Sequence, residues 1–125
     1  MDVLVDTSIW IDYFKSGEKS KDIDFLIDEN LIRINDVILA ELIPYLKLQR
    51  QNKVISRLQE INRSPLDIRW AEIIDFQFKC LKGGANGIGI PDLLIAQNAK
   101  QHNLKVYSLD KHFKIMSQHL KVKLY

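Results

Sequence analysis

Acidic side chains that follow apolar runs or lie in the first turns of helical patterns are the residues of this sequence best suited to chemistry. Five fit this description: Asp6, Asp36, Glu41, Asp92 and Asp110. In an open α/β sheet, functional sites lie beyond the carboxyl ends of the strands, so neighbouring strands would bring these carboxylates to one edge. Like charges held so close repel one another, and a divalent cation would remove that repulsion.

The residue types limit which cation such a site would hold. Mg²⁺ and Mn²⁺ prefer oxygen ligands, whereas zinc sites are usually built from cysteine and histidine. The single cysteine, Cys80, and the three histidines argue against a multi-cysteine or histidine-rich site. We therefore expect Mg²⁺ or Mn²⁺ at the carboxylates and a reduced Cys80 in the core. For His102, His112 and His119 we expect surface or packing roles.

Each of these acids also has an ordinary structural explanation. Asp6 and Asp36 precede helical patterns, where aspartate often caps the helix. Asp92 would interact favourably with the dipole at the start of its helix, and Asp110 would start a turn. Glu41 is flanked almost entirely by apolar residues, and a buried glutamate needs a partner such as a metal or a salt bridge. The residues alone leave both explanations open.

Alternating strand and helix patterns supply the scaffold for these residues. Apolar runs predict strands at residues 3–5, 31–34 and 104–108, with an edge strand at 122–125. Apolar residues at three- and four-residue steps predict helices at residues 9–15, 22–28, 37–48, 54–61, 67–81, 91–101 and 110–117. The alternation predicts an α/β fold with a central, mostly parallel sheet of four to five strands flanked by helices. Pro44 should kink or break its helix.

Length and composition describe one ordinary globular domain. The chain has 125 residues, of which 46% are hydrophobic and 27% charged, and these values disfavour a disordered or repetitive chain. Eighteen basic and sixteen acidic residues give a net charge of +2, so nucleic acid binding would need a local basic patch. The sequence shows neither an apolar run of roughly 18 residues nor a basic signal region. We expect a cytoplasmic protein without membrane contact.

Four segments surround the acids: LVDTSIWIDYF, VILAELI, IGIPDLLIAQNA and VYSLDKHF. They resemble the motifs of PIN-domain ribonucleases, and more closely those of VapC-type toxins from toxin–antitoxin pairs. The segments follow family order from the first strand to the last, so the resemblance implies a PIN-like fold, with a single PIN domain over residues 1–125. It places the family acids on Asp6, Glu41, Asp92 and Asp110, and the neighbouring hydroxyls on Thr7, Ser8 and Ser108.

The resemblance implies a Mg²⁺- or Mn²⁺-dependent endoribonuclease. The four acids would hold one or two ions, and an ion would activate a water molecule for attack on the RNA phosphodiester. Thr7, Ser8 and Ser108 would orient the carboxylates or a phosphate. The family also implies two protein partners, which are a cognate antitoxin and a second copy of the chain in a homodimer. Gln97 replaces a smaller family residue, and we expect it on a solvated face.

Two other functions are compatible with the same motifs. A non-toxin PIN nuclease of RNA processing or decay would share the site but would lack a neighbouring antitoxin gene. A degenerate PIN domain would bind without cleaving, although four intact acids argue against it. For contacts with RNA phosphates, the basic residues best placed are Lys111, His112 and Lys114 beside Asp110.

Overall fold

The structure, a computed structural model, describes residues 1–125 and has the predicted α/β architecture. The strands are β1 (Val3–Val5), β2 (Ile32–Arg33) and β3 (Lys105–Tyr107). The helices are α1 (Thr7–Phe14), α2 (Ile23–Asp28), α3 (Asp36–Leu48), α4 (Asn52–Gln59), α5 (Trp70–Lys82), α6 (Ile90–Gln101) and α7 (Lys111–Leu120). None of the seven helices combines the length and apolar character that crossing a bilayer requires.

The sheet has the order β2-β1-β3, and both strand pairs are parallel. Val3 pairs with Ile32 on one side and with Lys105 on the other. All three residues of β1 are buried, as expected for the central strand of a sheet that is covered by helices. Because the strands are parallel, the residues that follow all three lie at the same edge of the sheet.

The observed sheet has three strands, which is fewer than the four to five strands predicted. Residues 122–125 do not form a strand, and only one bridge joins Leu124 to Val106. A second single bridge joins Ile34 to Arg63. Lys121 ends α7 in the left-handed region, with φ of 58°, so few residues remain to pair. Two backbone hydrogen bonds complete the contact. The N–H of Tyr125 donates to the Val106 carbonyl, and the N–H of Val106 donates to the Lys123 carbonyl.

Of the kink or break expected at Pro44, the break does not occur, because helix α3 is continuous from Asp36 to Leu48. Pro44 lies on the exposed face, between the buried residues Leu42 and Leu46. The helix loses the hydrogen bond that an N–H at position 44 would donate to the carbonyl of Ala40. That carbonyl belongs to an exposed residue, where water can replace the missing donor. The buried face therefore keeps its packing.

Replacing Pro44 by Ala is expected to raise the free energy of unfolding by about 2 kcal/mol. The substitution restores a helix hydrogen bond, while the more flexible unfolded chain offsets part of the gain. Urea denaturation of both proteins measures the difference. Pro91→Ala is the matched control, because Pro91 lies in the first turn of α6, where proline removes no helix hydrogen bond. Equal effects of the two substitutions would contradict the explanation.

Helix α5 is apolar on two faces, of which the core covers only one. Ile73, Phe76 and Cys80 are buried. The three- and four-residue spacing predicts one apolar face, but all its members are exposed, and Ile74 is exposed by 71%. These members are Ile68, Ala71, Ile74, Phe78 and Leu81. We use the name α5 face for four exposed residues of the helix: Trp70, Ile74, Phe78 and Leu81.

Buried amides attach α6 to its neighbours. Gln97 is buried, which contradicts the expected solvated face, because its side chain pairs with the backbone of Arg69. Its Nε2 donates to the Arg69 carbonyl and its Oε1 accepts from the Arg69 N–H, directly before α5 begins. Asn98 accepts a 3.0 Å hydrogen bond from buried Asn35, which caps α3. These bonds fix α6, and with it Asp92, relative to α3 and α5.

Candidate metal centre

The carboxyl ends of β1 and β3 deliver the first polar residues of the site. Asp6 directly follows β1, and its backbone N–H donates to the carbonyl of Tyr107 at the end of β3. Ser108 is the next residue along the chain. The parallel pairing therefore places the side chains of two distant segments beside each other.

Asp6 does not use its side chain to cap the helix that follows it. It occupies the N-cap position of α1, but its carboxylate makes no capping hydrogen bond. Instead, Oδ2 accepts hydrogen bonds from Ser8 at 3.0 Å and from Ser108 at 2.8 Å. Asp6 is 6% exposed, which is low for an acidic residue. The hydroxyls hold one oxygen of this buried carboxylate and leave Oδ1 without a protein partner.

The two serines are themselves fixed by backbone groups. Ser8 Oγ accepts from the N–H of Leu109 at 2.9 Å, and Ser108 Oγ accepts from the N–H of Asp110 at 3.0 Å. Each hydroxyl proton is thereby directed towards Asp6. Such support for a carboxylate is typical of residues that orient metal ligands.

Asp92 and Asp110 meet at the imidazole of His112. The ring atom Nδ1 of His112 lies 3.0 Å from Asp92 Oδ2 and 3.5 Å from Asp110 Oδ1. Asp110 also caps α7, because Oδ1 accepts from the backbone N–H of His112 at 2.9 Å. His112, for which we expected a surface or packing role, is thus partly buried and contacts two of the predicted site residues. Its position two residues after Asp110, at the start of a helix, was the feature of the sequence that could have indicated this contact.

Glu41 lies on α3, and Thr7 connects it to α1. The hydroxyl of Thr7 donates to Glu41 Oε1 over 3.4 Å. Partial burial of its carboxylate raises the pKa of Glu41 above its ordinary value of 4.5, and the charges of Asp6 and Asp92 raise it further. The structure thus brings Glu41 into the field of the other acids, although the residue is exposed.

The pKa of Asp92 is also raised, from an ordinary value of 3.8. Burial is the largest cause, and the charges of Asp110 and Asp6 add to it. The hydrogen bond with His112 acts in the opposite direction. The charges of Asp6 and Asp110 therefore make the ionised forms of Glu41 and Asp92 unfavourable.

Asp36 does not belong to this cluster. Its side chain is 68% exposed and pairs with Arg63 at 3.2 Å. The cap of α3 is Asn35, whose Oδ1 accepts from the N–H of Ile38. The capping role expected for Asp36 is therefore wrong, because Asn35 occupies the N-cap and Asp36 is the first residue of the helix. Asp6 follows a strand end in a similar way but lies within the site.

Comparison with known proteins decides the family. The family model of the PIN domain matches residues 3–118. The chain belongs to the PIN-domain family. The matched range includes all four clustered carboxylates of this PIN domain. No curated protein sequence matches the chain.

Solved structures show the same fold in three other proteins. FitAcB from Neisseria gonorrhoeae is 24% identical, with a TM-score of 0.73 over 98% of this chain and 96% of that chain. VapBC2 from Rickettsia felis, bound to a promoter DNA fragment, is 22% identical, with a TM-score of 0.78 over 100% and 98%. VapC20 from Mycobacterium tuberculosis, described as a sarcin–ricin loop cleaving toxin, is 14% identical, with a TM-score of 0.60 over 90% and 93%.

The donor set of this PIN domain fits a divalent cation of the Mg²⁺ or Mn²⁺ type. Carboxylate oxygens dominate the cluster, and Cys80 is buried in the core. Asp92, Asp110 and His112 offer donor atoms that all lie within 4.8 Å of one another. The raised pKa values of Glu41 and Asp92 indicate a repulsion that a cation would relieve.

Proposed function

We propose that this PIN domain is a metal-dependent endoribonuclease that acts as the toxin of a toxin–antitoxin pair. The observation that carries the proposal is the gathering of Asp6, Glu41, Asp92 and Asp110 at the carboxyl edge of the sheet. The fold shared with VapC20, described as a toxin that cleaves the sarcin–ricin loop, supports RNA as the substrate class.

The residues of the cluster have distinct roles in this proposal. Asp6 and Asp92 would hold one or two Mg²⁺ or Mn²⁺ ions, together with Glu41 and Asp110, directly or through water. When bound, the metal supplies a Lewis acid that polarises a phosphodiester and makes water a better nucleophile. Ser8 holds the Asp6 carboxylate in place, as Ser108 does, and Thr7 does the same for Glu41.

RNA would reach the carboxylates beside α7. Lys111 and Lys114 are exposed on the first turns of that helix, next to Asp110. Their ammonium groups are suited to phosphate contacts, which supply much of the affinity of proteins for nucleic acids. With a net charge of only +2, such a local arrangement is needed to attract RNA to an acidic site.

RNA cleavage by the purified chain tests the proposed function. We expect cleavage in Mg²⁺ or Mn²⁺ and none in excess chelator, together with growth arrest when the chain is expressed without a partner. A non-toxin nuclease would cleave RNA without arresting growth. A degenerate binding module would do neither, and either outcome would contradict the proposed role as a toxin.

An antitoxin segment has a suitable apolar groove on this chain. The groove has a volume of about 270 Å³ and lies between α1, α2 and α4. Its lining consists of Trp10, Tyr13, Phe14, Ile27, Val54, Arg57, Leu58 and Ile61. FitAB and VapBC2 have both been solved with DNA fragments. We propose that the protein partner of this chain is a cognate antitoxin.

A second copy of the chain is the occupant that we propose for the α5 face. The acidic residues Glu72 and Asp75 lie in the first half of α5, and the basic residues Lys79 and Lys82 lie in the second half. Antiparallel packing of two α5 helices would bring opposite charges together around the apolar stripe. Exposed apolar patches rimmed by charges are typical of protein interfaces.

Replacing Phe78 by Glu is expected to weaken self-association by about a hundredfold, because the substitution buries a charge in the interface. Phe78 is 59% exposed, so the monomer should fold normally. Sedimentation velocity over a range of concentrations measures the change. Phe25→Glu is the matched control, because Phe25 is 57% exposed but lies on α2. A parent chain that stays monomeric at high concentration would refute the homodimer.

A further inference from the structure

His112 contacts two of the carboxylates of the candidate metal centre. Its Nδ1 lies 3.0 Å from Asp92 Oδ2 and 3.5 Å from Asp110 Oδ1, and its side chain is 23% exposed. The other two histidines lie elsewhere, since His102 contacts the carbonyl of Pro65 and the ring of His119 lies beside Gly83. One nitrogen atom thus faces two carboxylates at the same time.

The 3.0 Å spacing of Nδ1 and Asp92 Oδ2 matches that of neighbouring ligands of one ion, and Asp110 Oδ1 lies slightly farther from Nδ1, at 3.5 Å. In a six-coordinate site with bonds of about 2.1 Å, adjacent ligand atoms are about 3.0 Å apart. We propose that His112 Nδ1 is a nitrogen ligand of the divalent ion, beside Asp92 and Asp110. The inference rests on the proposed metal-dependent function and adds one residue to its site.

The backbone around His112 holds the ring where a ligand is needed. Its backbone N–H donates to Asp110 Oδ1, and this bond holds the first turn of α7 against the Asp110 carboxylate. When its proton is on Nδ1, the ring donates to Asp92 Oδ2. The other ring nitrogen, Nε2, makes no hydrogen bond within the protein, so the proton can instead reside there when an ion binds and leave the lone pair of Nδ1 for the ion. The residue can therefore act as a ligand without rearrangement of the helix.

A nitrogen ligand changes which ion the site prefers. Mg²⁺ favours oxygen ligands almost exclusively, whereas imidazole binds first-row transition metals well. We therefore expect the parent chain to select Mn²⁺ over Mg²⁺. Loss of the imidazole should reduce Mn²⁺ affinity by about tenfold or more and leave Mg²⁺ affinity nearly unchanged.

Pulsed electron paramagnetic resonance of the Mn²⁺-loaded chain tests the assignment, because it detects ¹⁴N bound to the ion. We expect a ¹⁴N coupling in the parent and in His102→Gln, and its loss in His112→Gln. Calorimetric titrations with Mn²⁺ and with Mg²⁺ give the affinities of the same three proteins. Circular dichroism confirms that each variant is folded, and His112→Asn provides a second variant if His112→Gln is not.

Two results would overturn the inference. Mn²⁺ bound to the parent without a ¹⁴N coupling would exclude the nitrogen ligand, and so would a coupling that persists in both His112 variants. RNA cleavage by the same parent sample is measured separately. Cleavage without the coupling removes His112 from the ligands and retains the proposed nuclease, whereas a coupling without cleavage retains the ligand and refutes the nuclease.

Discussion

Replacing Asp92 by Asn is expected to reduce the rate of RNA cleavage by about a thousandfold or more. The amide is a neutral and weaker ligand, so the ion and its several kcal/mol of charge stabilisation in the transition state are largely lost. Asp92 is central to the cluster, because it lies beside His112 and shares its electrostatic field with Asp6 and Asp110. Cleavage of a defined RNA at saturating Mn²⁺ measures the loss.

The folded structure should survive this substitution. Burial and neighbouring charges raise the pKa of Asp92, so its ionised form is unfavourable in the metal-free protein, and an uncharged amide removes that cost. Thermal melting without metal should therefore show an equal or higher midpoint for Asp92→Asn. Asp36→Asn is the matched control, since Asp36 is exposed and paired with Arg63 outside the cluster. If Asp92→Asn cleaves within a few-fold of the parent, Asp92 is not part of the active site.

Sequence reasoning could predict the location of the cluster but not how its members are held. A parallel sheet brings residues after its strands to one edge, and this placed Asp6 and Asp110 together. Whether Asp6 caps its own helix depends on Ser108, which is 102 residues away along the chain. The contact of His112 with Asp92 depends likewise on the packing of α7 against α6. Local patterns carry no information about such distant contacts.

The fold was predictable to a similar depth. Strand and helix periodicity indicated the α/β class and the position of every helix, because burial of one face imposes a repeat on the sequence. Helix α5 is apolar on two faces, so its period alone could not show that Ile73 faces the core and Ile74 faces solvent. Pro44 was misjudged because its exposed position on α3 depends on tertiary packing.

Without divalent metal, the protein is expected to be more stable at mildly acidic pH than at neutral pH. The pKa values of Glu41 and Asp92 are raised above their ordinary values of 4.5 and 3.8. As pH rises past the ordinary values, the unfolded chain releases its protons first while the native state still holds them, so unfolding becomes easier. The loss of stability is complete above the raised native pKa values. Below the ordinary values both states hold their protons, and no stability is lost from this cause.

Divalent metal should reverse this trend, because it binds the ionised carboxylates of the native state only. Mn²⁺ at about a hundred times its dissociation constant adds about 2.7 kcal/mol, which corresponds to a rise of about 10 °C in the melting midpoint at neutral pH. Melting curves at several pH values, with Mn²⁺ or with chelator, measure both effects. In the double variant Glu41→Gln/Asp92→Asn, the extra stability at mildly acidic pH and most of the response to Mn²⁺ should be lost. A parent that gains stability with rising pH in chelator would show that repulsion among these carboxylates does not limit the metal-free fold.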